Sequence, residues 1–238
     1  MGLLDVIGPV MVGPSSSHTA GACRLALLAR NTLLTPPTRA TLTLHGSFAK
    51  TAKGHGTDRA LAAGLLGFFP DDPRIPEALT LAERAGLELE FRSRDLGDVH
   101  PNTVQLELEN ASERVSVLGS SVGGGLVRVV RVNGFEILFS GAYHTLLVGH
   151  TDQPGAIATV ARILADDGVN IATLHCARRQ RGGAAMMSLE IDRRPAQFVL
   201  DYLSQLRVVS WLRMLPEVMQ TAAPTPAAPS PQEVPHDP

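Results

Sequence analysis

Residues 143–174 read Tyr143-His144-Thr145-Leu146-Leu147-Val148-Gly149-His150-Thr151-Asp152-Gln153-Pro154-Gly155-Ala156-Ile157-Ala158-Thr159-Val160-Ala161-Arg162-Ile163-Leu164-Ala165-Asp166-Asp167-Gly168-Val169-Asn170-Ile171-Ala172-Thr173-Leu174, and their order of signals decides the fold of the C-terminal half. Tyr143 to Val148 has the composition of a strand. Asp152-Gln153-Pro154-Gly155 then opens a helix, with Pro154 suited to the first turn. Ile157, Val160, Ala161 and Leu164 recur at the spacing of one buried helix face, and Gly168 ends the helix. Asn170 to Leu174 and Ala184 to Ile191 read as strands joined across residues 178–183. Phe198, Tyr202, Leu203 and Leu206 mark a second helix, and Val208 to Leu212 a last strand. Over residues 143–215 the succession is βαββαβ, the ferredoxin-like arrangement.

Upstream, residues 1–140 form a first unit of a different kind. Ala40-Thr41-Leu42-Thr43-Leu44 alternates like a half-buried strand, and Leu61, Leu65 and Phe69 mark a helix after it. Prolines at 70, 73 and 76 punctuate the chain before a helix through Ala78, Leu79, Leu81 and Ala82. Strands are expected at residues 87–91, 104–108, 114–118 and 126–132. Gly123-Gly124-Gly125 reads as a bulge, a hairpin loop or a backbone contact to a ligand, with a plain loop the commonest habit of glycine clusters. Asn133-Gly134 is a two-residue hairpin signal. The sum is an α+β unit with a mixed or antiparallel sheet. Residues 221–238 hold six prolines and no apolar periodicity; such a segment buries too little surface to offset the entropy of ordering and is expected to be disordered.

Two polar clusters in the first unit carry chemistry. Gly13-Pro14-Ser15-Ser16-Ser17-His18-Thr19 precedes a helical pattern with Ala22, Leu25, Ala26, Ala29 and Leu33 on one face. Ser15 to Thr19 therefore fall where the first backbone N–H groups of a helix lack internal partners, beside the positive end of its dipole. Hydroxyls and free amides there suit an anion, and His18 adds a group that exchanges protons near neutral pH. The plainer reading is an N-cap with surplus serines. The second cluster is His45-Gly46-Ser47-Phe48-Ala49-Lys50-Thr51-Ala52-Lys53-Gly54-His55-Gly56-Thr57-Asp58, placed between a strand and a helix that Thr57 or Asp58 caps. Gly54 and Gly56 bracket His55 and let the backbone approach a small ligand.

These runs, with Gly46-Ser47-Phe48-Ala49 and Gly54-His55-Gly56-Thr57-Asp58 in the second, resemble the iron–sulfur-dependent L-serine dehydratases. Gly119-Ser120-Ser121-Val122-Gly123-Gly124-Gly125 resembles a third signature of that family. The segment from Tyr143 resembles an ACT domain, most clearly at Asp152-Gln153-Pro154-Gly155. The likeness spans roughly residues 2–215, and this domain order is that of the beta subunit in two-subunit members. It implies β-elimination of water from L-serine to aminoacrylate, which hydrolyses to pyruvate and ammonia. His18 and His55 are the expected catalytic groups facing the shared active site, either orienting substrate or moving protons, with the α-proton base on this chain or on its partner. Ser15, Ser16, Ser17, Thr19, Gly54 and Thr57 are the expected substrate-binding residues. Asp152, Gln153, Pro154 and Gly155 are the expected effector-binding residues, and the ACT domain the means of homodimerisation.

Composition sets bounds on partners. Net charge is −2 with mixed signs, which gives no electrostatic footprint for nucleic acid. No apolar run approaches the ~18 residues of a membrane span, and no secretory signal pattern opens the chain, so a cytoplasmic location is expected. Cys23 and Cys176 are the only cysteines, whereas an iron–sulfur cluster takes three or four thiolates. No metal ligand is therefore assigned to this chain, and the 4Fe-4S cluster implied by the resemblance is expected on a separate alpha subunit. Two non-catalytic alternatives stand beside the enzyme reading. One is a free amino-acid sensor; the other is a serine-sensing domain pair of the kind attached to 3-phosphoglycerate dehydrogenases. The first does not account for two His-bearing clusters in the N-terminal half; in favour of the second, the chain has no nicotinamide-binding Gly-x-Gly-x-x-Gly of its own.

Overall fold

The computed structural model describes residues 10–52 and 54–219; the Pro-rich tail lies outside them. Ten strands divide between two sheets. The first sheet is built from β1 (Arg39–Leu44), β2 (Glu88–Ser93), β3 (Thr103–Glu109), β4 (Arg114–Gly123), β5 (Leu126–Val132) and β6 (Phe135–Phe139), in the order β2-β1-β3-β4-β5-β6. Only β1 and β2 run parallel; every other pairing is antiparallel. The sheet is therefore mixed. Asn133 and Gly134 both adopt positive φ, 50° and 79°, and turn β5 into β6 as the dipeptide predicts.

The glycine triplet is not a plain loop. β4 runs five residues beyond the expected Leu118, through Gly123, and Gly124-Gly125 is the turn of a β4–β5 hairpin. Helix α1 (Ala22–Arg30) lies across β3, β4 and β5. Every residue from Ala22 to Ala29 is buried, Arg24 included, so this helix is a core element rather than an amphipathic cover. Helix α3 (Thr57–Leu65) packs on α1, and Gly64 permits the approach, since a Cβ there would fall 2.2 Å from the Cys23 carbonyl. A short helix α2 (Gly46–Thr51) sits between β1 and α3, where the sequence pattern marks no element, and α4 (Ala78–Arg84) precedes β2.

The second sheet comprises β7 (His144–Thr151), β8 (Ile171–Arg178), β9 (Ala184–Ile191) and β10 (Val209–Leu215), in the order β10-β7-β9-β8. With α5 (Ala156–Asp166) and α6 (Gln197–Gln205) it forms the expected βαββαβ unit. Two local readings need correction. Pro154 is not in the first turn: Gly155 caps α5 with φ 86°, and the helix starts at Ala156. The buried face is Ala156, Val160 and Leu164, while Ile157 remains 42% exposed.

The sheets share a core. Leu147, Met186 and Leu215 of the second join the apolar cluster of the first, whereas Leu146, Val148, Met187, Leu189 and Ile191 pack against α5 and α6. Period-two alternation along β7 and β9 thus serves two layers. At the joint Ser188 Oγ donates to the Leu138 carbonyl (3.0 Å), and the buried Glu190 carboxylate accepts from Ser140 N (2.7 Å), Ser140 Oγ (2.6 Å) and Thr173 Oγ1 (2.9 Å). Arg213 of β10 pairs with Glu113 of the β3–β4 turn and donates through Nε to the Thr32 carbonyl (2.9 Å).

Candidate active site

The first polar cluster does not enter α1 directly. Ser15, with extended backbone (φ −142°, ψ 122°), caps a single turn of π-helix over Ser16–Gly21, which then runs into α1. Ser15 Oγ accepts from the His18 main-chain N–H at 3.2 Å, so the expected serine cap exists, one turn earlier than the apolar pattern suggests. Wide π turns recur at functional sites, because the extra residue re-aims side chains against the helix that follows. Here the residue so aimed is His18.

The two clusters meet at that imidazole. His18 Nδ1 lies 3.3 Å from Ser15 Oγ, and Nε2 lies 3.0 Å from Ser47 Oγ of α2. One tautomer takes a proton from Ser15 and gives one to Ser47; the other reverses both roles, and either satisfies the ring. His55 stands edge-on to His18 with ring centroids 4.9 Å apart, and Phe48 flanks the other side at 5.4 Å. Burial and the neighbouring His55 hold the His18 pKa below the ordinary histidine value, burial contributing more. A lowered pKa favours the neutral ring, able to accept a proton.

The remaining expected residues take distinct places. Ser16 and Ser17 lie half-buried on the π turn. Thr19 is buried and donates to the His55 carbonyl (3.4 Å), tying the clusters a second time. Gly54 and His55 are exposed. Neither Thr57 nor Asp58 is the cap of α3: Gly56 holds that position with φ 67°, and Thr57 is the first helical residue. The Thr57 hydroxyl is buried without a hydrogen-bond partner among the described residues. Sequence reasoning passed over two residues, one in the site and one beneath it. Ser47 lies inside the quoted second cluster, but only folding brings it across 29 positions to His18. Ser121 lies in the third signature, and its hydroxyl is fully buried beneath Gly21.

The expected effector segment is arranged differently. Asp152 is not open at a helix start: its Oδ2 accepts from Gly182 N and from Arg178 Nη1, each at 2.9 Å. These partners, the Gly182 amide foremost, hold its carboxyl below the usual range. Gln153, Pro154 and Gly155 are exposed.

The thiols do not suit an iron–sulfur cluster. Cys23 is buried in α1 and donates to the Phe68 carbonyl (3.2 Å); burial pushes it up to about 12, against a smaller opposing effect of Arg24. Cys176 stands on β8, 3.6 Å from His150 Nε2, and its pKa is also raised, chiefly by burial. Cys23 is buried in α1 and Cys176 exposed on β8, and a cluster takes three or four thiolates. Among the described residues no three His, Cys, Asp or Glu side chains converge as metal ligands. No described helix is long and apolar enough to cross a membrane.

Fold and site together define a class: a histidine- and serine-lined α+β unit joined to a ferredoxin-like βαββαβ unit. In keeping with that, the serine dehydratase beta chain family matches residues 4–85 and the ACT domain family residues 144–206. The chain is 43% identical over 204 residues to the probable L-serine dehydratase beta chain of Bacillus subtilis (strain 168), covering 86% of this chain and 93% of that one. It is 44% identical over 191 residues to the L-serine dehydratase beta chain of Peptoniphilus asaccharolyticus, covering 79% and 86%. The chain belongs to the L-serine dehydratase beta-chain family. A more distant likeness, 28% over 154 residues, to the D-3-phosphoglycerate dehydrogenase of Bacillus subtilis covers 62% of this chain but only 28% of that enzyme.

Proposed function

We propose that this chain is the beta subunit of an iron–sulfur L-serine dehydratase, and that its π turn and second cluster form one wall of the active site. The observation that carries this reading is the meeting of Ser15, His18, Ser47 and His55, drawn from two separate clusters. Elimination of water from L-serine requires removal of a weakly acidic α-proton and protonation of a poor leaving group. His18, kept neutral by burial, takes the α-proton; His55, exposed beside it, delivers a proton at the hydroxyl. A proton on His55 disfavours one on His18, which keeps base and acid distinct. Ser16 and Ser17, with the amides at the head of the π turn, hold the substrate carboxylate, while Thr19, its hydroxyl given to the His55 carbonyl, ties the second cluster to that turn. Gly54 and Thr57 shape the opposite side.

The 4Fe-4S cluster belongs to an alpha subunit in this reading, since two thiols fall short of the three or four that a cluster takes. When bound there it supplies a Lewis acid for the leaving hydroxyl. The ACT unit pairs two copies of the chain, and exposed Gln153, Pro154 and Gly155 take L-serine as effector while Asp152 holds the adjoining loop. Such an enzyme works in the cytoplasm. Co-expression with a cysteine-bearing alpha subunit is expected to yield a brown, oxygen-sensitive complex that forms pyruvate from L-serine, with the beta chain alone inactive and colourless. Serine turnover by the metal-free chain alone overturns the assignment. The distant likeness to phosphoglycerate dehydrogenase favours a second reading, a serine sensor without chemistry; serine binding to the chain with no pyruvate from any complex selects it.

A further inference from the structure

The third signature, Gly119–Gly125, is left without a role by the chemistry above. In the structure three of its residues meet one face of the helix that carries His18. Gly21 sits on Ser121 so closely that a Cβ at residue 21 would fall 2.0 Å from Ser121 Oγ and 2.6 Å from Ser121 Cβ. Leu25 covers Gly119, where a Cβ would fall 2.6 Å from its Cδ2. Buried Arg24 donates through Nη1 to the Gly125 carbonyl at 2.7 Å. Positions 21, 24 and 25 are spaced i, i+3, i+4 along the helix, and 119 and 121 share one face of β4. Ser120 points the other way and bonds Thr103 Oγ1 at 2.6 Å. Helical and strand periodicities thus interlock over the whole signature.

We infer that this hairpin is the platform that sets the position of His18, and that Gly21 on Ser121 is the contact through which it does so. This rests on the reading of His18 as a site residue. Ser121 cannot retreat. It is paired with Val127, its neighbour Ser120 is paired with Thr103, and its own N–H donates to the Asn102 carbonyl at 2.9 Å. Its Oγ is buried without a hydrogen-bond partner among the described residues, a cost that close packing against Gly21 explains. The π turn is only six residues long and holds His18 three residues before Gly21. Lifting Gly21 from the strand therefore carries the imidazole off Ser47 and His55. Gly21 and Ser121 are positioning residues; neither touches the reacting atoms.

The test sets Gly21→Ala against the double variant Gly21→Ala/Ser121→Gly, in which both clashing atoms are removed. In the full chain, NMR titration of the His18 ring reads its surroundings without reference to turnover. Gly21→Ala is expected to move the His18 midpoint up toward the ordinary histidine value as the ring leaves burial and His55, the titratable group facing it. In the complex with the alpha subunit, kcat should fall on the order of 100-fold, as displacement by about an ångström does. The double variant should restore both the midpoint and kcat. Should Gly21→Ala not fold, the double variant alone decides, by folding with the wild-type His18 midpoint. An unmoved midpoint in folded Gly21→Ala, or a double variant no better than the single, overturns the inference. Should His18→Ala prove harmless to turnover, the catalytic reading fails, while the titration still judges the platform.

Discussion

The two halves of the chain each place a polar, glycine-bearing segment before a helix, yet they use it in opposite ways. In the N-terminal unit the segment Ser15–Thr19 becomes a π turn whose histidine faces a second cluster. In the ACT unit the segment Asp152–Gly155 closes on itself, because Asp152 is claimed by Gly182 and Arg178. One arrangement leaves a neutral imidazole beside another imidazole; the other leaves a carboxylate already satisfied. A polar run before a helix therefore marks a helix start, and what packs beside it decides whether the groups are free for chemistry.

The contrast is broken most severely at the joint between the halves. Removing the guanidinium in Arg213→Ala leaves the Thr32 carbonyl without that donor and the Glu113 carboxylate with the Leu34 amide alone, and unfolding stability should drop by about 3 kcal/mol. Chemical denaturation of the full chain measures it, and a change under about 1 kcal/mol means the pair is merely superficial. Next come the site histidines: His18→Ala and His55→Ala should each lower turnover of the complex ~100-fold or more. The melting temperature should barely change for His55→Ala, exposed in the turn before α3, and fall modestly for His18→Ala, which loses its contacts to Ser15 and Ser47. A lowered melting point with wild-type kinetics makes them packing residues instead.

Ser16→Ala and Ser17→Ala sharpen the comparison further. If they hold the carboxylate equally in ground and transition states, KM should rise about tenfold, the worth of one hydrogen bond to a charged group, with kcat unchanged. Steady-state kinetics separates this from a fall in kcat, which contradicts uniform binding. The smallest effect concerns pH. With its pKa lowered, His18 stays neutral to below the ordinary value of about 6.5. The acid limb of kcat/KM should therefore lie below that pH, and His55→Ala should move it upward by removing the repulsive neighbour. The same sign governs stability: the unfolded chain binds the His18 proton more readily, so this group costs stability as pH falls from 6.5 through its folded midpoint. A limb above 7 in the wild type excludes His18 as the base.

Much of this was legible before the coordinates. The βαββαβ order and the Asn133-Gly134 hairpin follow from period-two alternation and turn chemistry, which act locally, whereas the choice between a mixed and an antiparallel sheet waited on the parallel β1–β2 pairing. The two polar clusters stood out because serine, histidine and glycine have distinct uses at helix starts. What the pattern hid is tertiary. A π turn adds one residue without changing residue types, so the serine cap is legible while the π geometry behind it is not. Helix α2 carries a single buried side chain, Phe48, and leaves no periodic trace. Arg24 reads as a polar interruption in an apolar run, yet it is 3% exposed and spans from the Gly125 carbonyl to that of Met219. Contacts such as His18 to Ser47 and Gly21 to Ser121 depend on which strands the sheet places side by side.

The central claim is that chemistry belongs to the N-terminal cluster and regulation to the ACT segment. It is tested most directly by following pyruvate formation from L-serine in the alpha–beta complex, with His18→Ala and Asp152→Ala measured side by side. Freeing Asp152 loosens the β8–β9 loop but touches nothing in the cluster around His18. The account predicts a loss of ~100-fold or more for His18→Ala, and basal turnover within about twofold of wild type for Asp152→Ala, as for distant, independent sites. Equal losses in both variants, or a loss in Asp152→Ala alone, would contradict it.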